Sequence, residues 1–76
     1  MDRLDTLKIG ERARILEVEG DDAVSVRLME MGMTDDEEIE LIGFAPLGDP
    51  IEFQVRGYRI SLRATEAHRV LIERLP

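Results

Sequence analysis

Apolar and polar residues alternate in several short stretches of this chain, and that spacing predicts a protein built mainly from strands. The clearest case is Ile51-Glu52-Phe53-Gln54-Val55-Arg56, where every second side chain is apolar. A pleated strand sends successive side chains to opposite faces, so Ile51, Phe53 and Val55 form a core face and Glu52, Gln54 and Arg56 a solvent face. Gly57-Tyr58 reads as a turn and Arg59-Ile60-Ser61-Leu62-Arg63 as the returning strand, which makes residues 51–63 a hairpin. Upstream, Arg12-Ala13-Arg14-Ile15 alternates in the same way, but the pattern slips by one place at Leu16-Glu17-Val18. A one-residue slip inverts every later side chain, so it predicts a β-bulge near Leu16-Glu17. Glu38-Ile39-Glu40-Leu41 opens another strand that runs on to Phe44, and Arg69 to Glu73 supplies the last, with Val70 and Ile72 inward.

The period changes once. Val24, Leu28 and Met31 fall at i, i+4 and i+7, the stripe of a helix running to about Met31, with Gly20-Asp21-Asp22 offering its N-cap and Gly32 its stop. Thr65-Glu66-Ala67-His68 reads as a single capped helical turn. The result is five short strands, one helix between the first two, and a helical turn before the last. Five bent strands are too few for a two-sheet sandwich and fit a small, partly open SH3-like barrel. Residues 1–76 form one domain, with no internal repeat, low-complexity tract or linker.

Charge narrows the list of partners. The net charge of −7 disfavours nucleic acid, whose phosphates would repel the chain. Its distribution is uneven: residues 1–40 hold thirteen acidic and five basic side chains, whereas residues 41–76 hold four and five. Nine of the ten basic residues are arginine, the cation suited to fixed contacts with carboxylates. No apolar run approaches the roughly 18 residues that a membrane helix needs, and no targeting segment is visible. There is no cysteine to form a disulfide or a thiolate site, which fits a cytosolic protein.

Catalytic chemistry is missing. A nucleophile needs a neighbouring base, and this chain has no Cys and only one histidine; Ser25 and Ser61 sit on a predicted helix and strand, not at an exposed elbow. Gly43, Gly48 and Gly57 are spaced as turn residues, not as a phosphate-binding loop. Asp35-Asp36-Glu37-Glu38 offers oxygen ligands but lacks the spacing and central glycine of a calcium loop, so it reads as a solvated acidic turn. His68 alone reads as a surface or capping side chain. Met29, Met31 and Met33 would point in different directions on a helix, which suits packing and partner contact better than a soft metal. No metal site and no cofactor are expected.

Three segments, in order, carry a resemblance: Arg27-Leu28-Met29-Glu30-Met31-Gly32-Met33, Ala45-Pro46-Leu47-Gly48-Asp49-Pro50, and Leu62-Arg63-Ala64-Thr65-Glu66-Ala67, preceded by Leu7-Lys8-Ile9-Gly10-Glu11-Arg12-Ala13-Arg14-Ile15. Together they resemble the FeoA family, small cytosolic accessory proteins of bacterial ferrous iron uptake. The resemblance extends from about Leu7 to Ile72 and implies an SH3-like barrel. It also implies a partner, the membrane ferrous iron transporter with its cytosolic GTP-binding domain. One departure is local: where the family has a Pro-Gly turn after Met33, this chain has Asp35-Asp36 followed by two glutamates. Asp tolerates turn conformations, so the fold is expected to survive with a more acidic surface there. Because the same barrel closes iron-dependent transcriptional repressors, a repressor domain is the alternative, and a small Fe(II)-binding protein is another.

The candidate contact residues follow from exposure and chemistry. Pro46, Leu47, Gly48 and Pro50 form a stiff apolar ridge, and rigid segments bind with a smaller ordering cost. Met29 and Met33, adaptable side chains near the helix end, and the outward arginines Arg59 and Arg63 complete the set. The expected molecule is a non-catalytic, monomeric or weakly associating binding module that does not insert into membranes.

Overall fold

The computed structural model describes residues 2–76. Six strands, β1 (Asp2–Arg3), β2 (Arg12–Val18), β3 (Glu38–Phe44), β4 (Ile51–Val55), β5 (Tyr58–Leu62) and β6 (Val70–Arg74), form one antiparallel sheet in the order β1-β6-β2-β3-β4-β5. Helix α1 (Ala23–Glu30) joins β2 to β3, and the short α2 (Ala64–Ala67) joins β5 to β6. The protein is mostly β, as the alternation predicts. Two features differ from expectation. The sheet has six strands instead of five, because Asp2 and Arg3 pair with Ile72 and Leu71; a two-residue strand is too short to show a period. The ladder also does not close into a barrel, since β1 and β5 remain its two edges. Side chains, not another ladder, fasten α1 to the β5 end: Tyr58 O–H donates to the Met31 carbonyl at 2.8 Å, and Arg27 pairs with Glu66 of α2.

The bulge falls where the slipped alternation places it. The β2–β6 register shifts between Ile15 and Glu17, leaving Leu16 as the extra residue. A second shift in β3, between Leu41 and Gly43, was not visible in the pattern because Ile42 and Phe44 are both apolar. Bulges bend a strand and increase its twist. The two together curl the sheet around a core containing Phe53, Ile15, Leu41, Ile39, Leu28 and Leu4, all but completely buried. Leu4 and Leu7 enter that core from a 3-10 turn (Leu4–Thr6) that the strand pattern leaves unassigned.

The turns are corrected in two places. The β4–β5 turn is Arg56-Gly57, with φ of 53° and 84°, and Tyr58 already pairs with Val55. Two consecutive positive φ values match the hairpin turn whose twist follows that of the strands. After α1, Gly32 (φ 109°) lets the Met33 N–H reach back to the Leu28 carbonyl and its own N–H to that of Met29, the paired bonds of a Schellman end. That motif folds Met33 inward beside Leu28, and only 1% of its surface is exposed. Met33 is therefore a core residue and not a surface contact. At the acidic turn, Asp36 adopts φ 68° and donates its N–H to the Ile15 carbonyl, so aspartate does take the left-handed position there.

Asp22 serves two roles. It caps α1 by accepting the Ser25 N–H at 3.2 Å, and it holds Arg69 through two bonds of 2.6 and 2.9 Å. The Arg69 guanidinium first, and then the Ser25 N–H, lower its pKa to about 2 from an ordinary 3.8. A carboxylate lowered on folding adds stability that is present above its unfolded pKa and lost as pH falls through the folded value. Asp22 is thus expected to add acid sensitivity between pH 3.8 and about 2. Urea midpoints measured across that window should fall less steeply in Asp22→Asn, which still caps the helix; equal slopes would remove Asp22 from the acid transition.

Candidate partner-binding surface

The β3–β4 connection is built as a rigid projection. Ala45 N–H donates to the Pro50 carbonyl at 3.0 Å, and Gly48 N–H to the Ala45 carbonyl at 2.7 Å, closing a turn with Pro46 and Leu47 at its centre. Proline fixes the first central φ, and Gly48 takes φ 90° without steric cost. Leu47 is 96% exposed at the tip, while Pro46, Gly48, Pro50 and the preceding Phe44 are also exposed. Leaving a leucine in water forgoes roughly 2 kcal/mol of burial, so such a tip suits a partner more than the fold.

Asp49 ties this projection to the next element. Its Oδ1 accepts the Ala64 N–H, the first of α2, at 2.7 Å, and Glu66 Oε1 accepts the Arg63 N–H at 2.9 Å. Arg63 therefore stands at the root of the Leu47 loop, as the extended N-cap of α2. Asp49 carries no local sequence signal for this, because its partner lies fifteen residues away. Asp49→Ala is expected to cost about 1 kcal/mol in urea unfolding and to speed amide exchange across 45–50. Asp49→Asn, which keeps the acceptor oxygen, should recover most of both; identical behaviour of the two variants would show that the oxygen does not anchor the loop.

Arg59 and Arg63 are the charged part of the surface. They lie on the outward face of β5 and its extension, about 13 Å apart at roughly 3.3 Å per residue. Among the described residues each of the other seven arginines has a carboxylate: Arg3 with Glu19, Arg12 with Glu38, Arg14 with Glu73, Arg27 with Glu66, Arg56 with Glu37, Arg69 with Asp22 and Arg74 with Asp2. Arg59 and Arg63 have none among the described residues, on a molecule of net charge −7. Met29 is 44% exposed but belongs to a separate element, on the outer side of α1 with Val26.

The acidic turn is divided among ion pairs. Glu37 meets Arg56 at 2.6 Å, whose hydrogen bond lowers the carboxyl pKa, and Glu38 meets Arg12 at 3.6 Å. His68 Nδ1 lies 3.0 Å from Asp5 Oδ2 and so links α2 to the N-terminal segment. Among the described residues no three His, Cys, Asp or Glu side chains are placed to hold one metal ion, and no helix is long and apolar enough to cross a membrane.

Residues 3–74 match the model of the FeoA domain. The chain belongs to the FeoA family. A curated relative, the Fe(2+) transport protein A/Fe(2+) transporter FeoB fusion protein of Porphyromonas gingivalis, is 35% identical over 71 residues; the match takes in 93% of this chain and 8% of that protein. This FeoA chain therefore spans a small part of that relative. The FeoA structure from Chlorobium tepidum is 36% identical, with 99% of this chain and 71% of that one covered and a TM-score of 0.89. FeoA of Stenotrophomonas maltophilia, solved with zinc and described as a prokaryotic SH3 domain protein, is 31% identical over 96% of this chain and 91% of its own, with a TM-score of 0.84. The fold also matches a manganese-dependent transcriptional repressor at 13% identity and a TM-score of 0.87, a likeness of fold alone. An SH3-like fold and a place in iron transport thus accord with the family and its neighbours.

Proposed function

We propose that this FeoA chain is a non-catalytic accessory protein of ferrous iron uptake that binds the cytosolic, GTP-binding part of the membrane Fe(II) transporter. The observation that carries it is the fusion, in one relative, of a 35% identical FeoA domain to the transporter itself. Two partners joined in one chain act together at high effective concentration, and separate chains of the same kind must provide that association through an interface. The Leu47 projection with Arg63 at its root offers the features such an interface uses: an exposed apolar anchor on a stiff backbone beside unpaired arginine. Arg59 extends the basic strip, and Met29, exposed on the outer side of α1, is a separate candidate contact. In this reading the protein works in the cytoplasm, as a monomer or weak homo-oligomer, without a cofactor, nucleic acid or membrane insertion. Titration calorimetry of the chain against the isolated GTP-binding domain, loaded with GTP analogue or GDP, tests it. Heat of binding in either state supports the proposal, and its absence in both rejects the GTP-binding domain as the partner.

A further inference from the structure

We propose that the free edge of β5 is a docking strand for an extended, acidic segment of a partner protein, which adds to the sheet as a seventh strand. This rests on the proposed function only for the identity of the partner. The strand is terminal in the sheet order, with β4 on one side. Because Arg56-Gly57 is a two-residue turn, Val55 and Tyr58 form a hydrogen-bonded pair, and pairs of that kind alternate along an antiparallel ladder. Gln54–Arg59 and Glu52–Ser61 are then the non-bonded pairs, so the N–H and C=O groups of Arg59 and Ser61 point away from β4. Neither residue has a hydrogen bond outside that ladder among the described residues, and both are exposed. Such a row of unpaired groups is a template for an added strand.

Charge selects the occupant. Proteins guard open edges with charged side chains, and here the guards are Arg59 and Arg63, the two arginines without a carboxylate among the described residues. Directly opposed residues on paired strands interact, and like charges repel. A second copy pairing antiparallel about Arg59 would set Arg59 against Arg59, and pairing about Ser61 would set Arg59 against Arg63. Self-pairing meets an arginine–arginine contact in those two registers. The third, about Ile60, sets Arg59 against Ser61 and gives it no opposite charge, whereas a strand with carboxylates four residues apart meets both arginines. Across the rest of a molecule with net charge −7 an acidic segment is repelled, which leaves this edge as its place.

The test uses the full chain labelled with 15N and an eight-residue peptide of alternating glutamate and valine, with a lysine–valine peptide of equal length as the control. The acidic peptide is expected to slow amide exchange at Arg59 and Ser61 and to bind more weakly as salt rises, while the lysine peptide leaves both amides unchanged. Ser61→Pro removes one outward donor from an edge position that tolerates proline, and should weaken binding about tenfold. Arg59→Glu with Arg63→Glu, both exposed, should abolish it while the spectrum stays folded. Absence of binding at millimolar peptide, protection elsewhere, equal binding of the lysine peptide, or full affinity after charge reversal would each overturn the proposal. Binding of the transporter domain without the acidic peptide leaves the proposed function standing and removes the edge; the reverse result keeps the edge and removes that partner.

Discussion

Phe53→Ala is expected to bring this protein to the limit of folding. Phe53 is fully buried in the middle of β4, facing the core between Ile51 and Val55. Removing a buried phenylalanine costs about 3–5 kcal/mol, from lost transfer energy and from the cavity left behind. Folded domains have about 0.05–0.15 kcal/mol of stability per residue, or about 4–11 kcal/mol for 76 residues. No disulfide is present to offset the loss. Urea unfolding followed by circular dichroism should show the midpoint falling by half or more, whereas Phe53→Leu, which keeps most of the volume, should lose distinctly less. A loss below about 1 kcal/mol in the alanine variant would mean that the hairpin does not carry the core.

Leu47→Asp should have the opposite profile, with stability kept and partner binding lost. At 96% exposure the side chain makes little contact with the fold, so unfolding should change by no more than about 0.5 kcal/mol. In the proposed interface the same leucine is the apolar anchor, and a charged side chain would have to be desolvated in its place. Truncating a central anchor costs about 2 kcal/mol or more, equivalent to about 30-fold in Kd, and an aspartate should exceed that. Unchanged affinity for the transporter's GTP-binding domain would remove the loop tip from the interface. Comparing this variant with Arg63→Ala separates the apolar from the electrostatic contribution, because Arg63 stands at the root of the same loop.

How far the sequence could be read depended on whether a feature has local cause. The Ile51–Val55 alternation, the bulge at Leu16 and the glycine stop of α1 are set by neighbouring residues, and the fold shows all three. The exposed proline-bounded loop belongs to the same class. What was missed depends on long-range partners. The β1 strand exists only because β6 accepts it, and Leu4 is buried through contacts that no short window contains. Met33 was misplaced because hydrophobicity alone does not distinguish a core methionine from a surface one; the deciding information is the Schellman turn at Gly32. Asp49 hides in a loop whose ridge attracts attention to its apolar residues, yet its carboxylate holds that ridge to α2. The ion-pair arrangement that leaves Arg59 and Arg63 without a carboxylate among the described residues likewise emerges only in three dimensions.

The most direct test of the central claim is an amide titration of the 15N-labelled chain with the unlabelled GTP-binding domain of the ferrous iron transporter. Shifts and line broadening concentrated at residues 45–50 and 59–64 are the expected result. No perturbation at saturating domain, or one confined to the acidic turn at 35–38, would contradict the account.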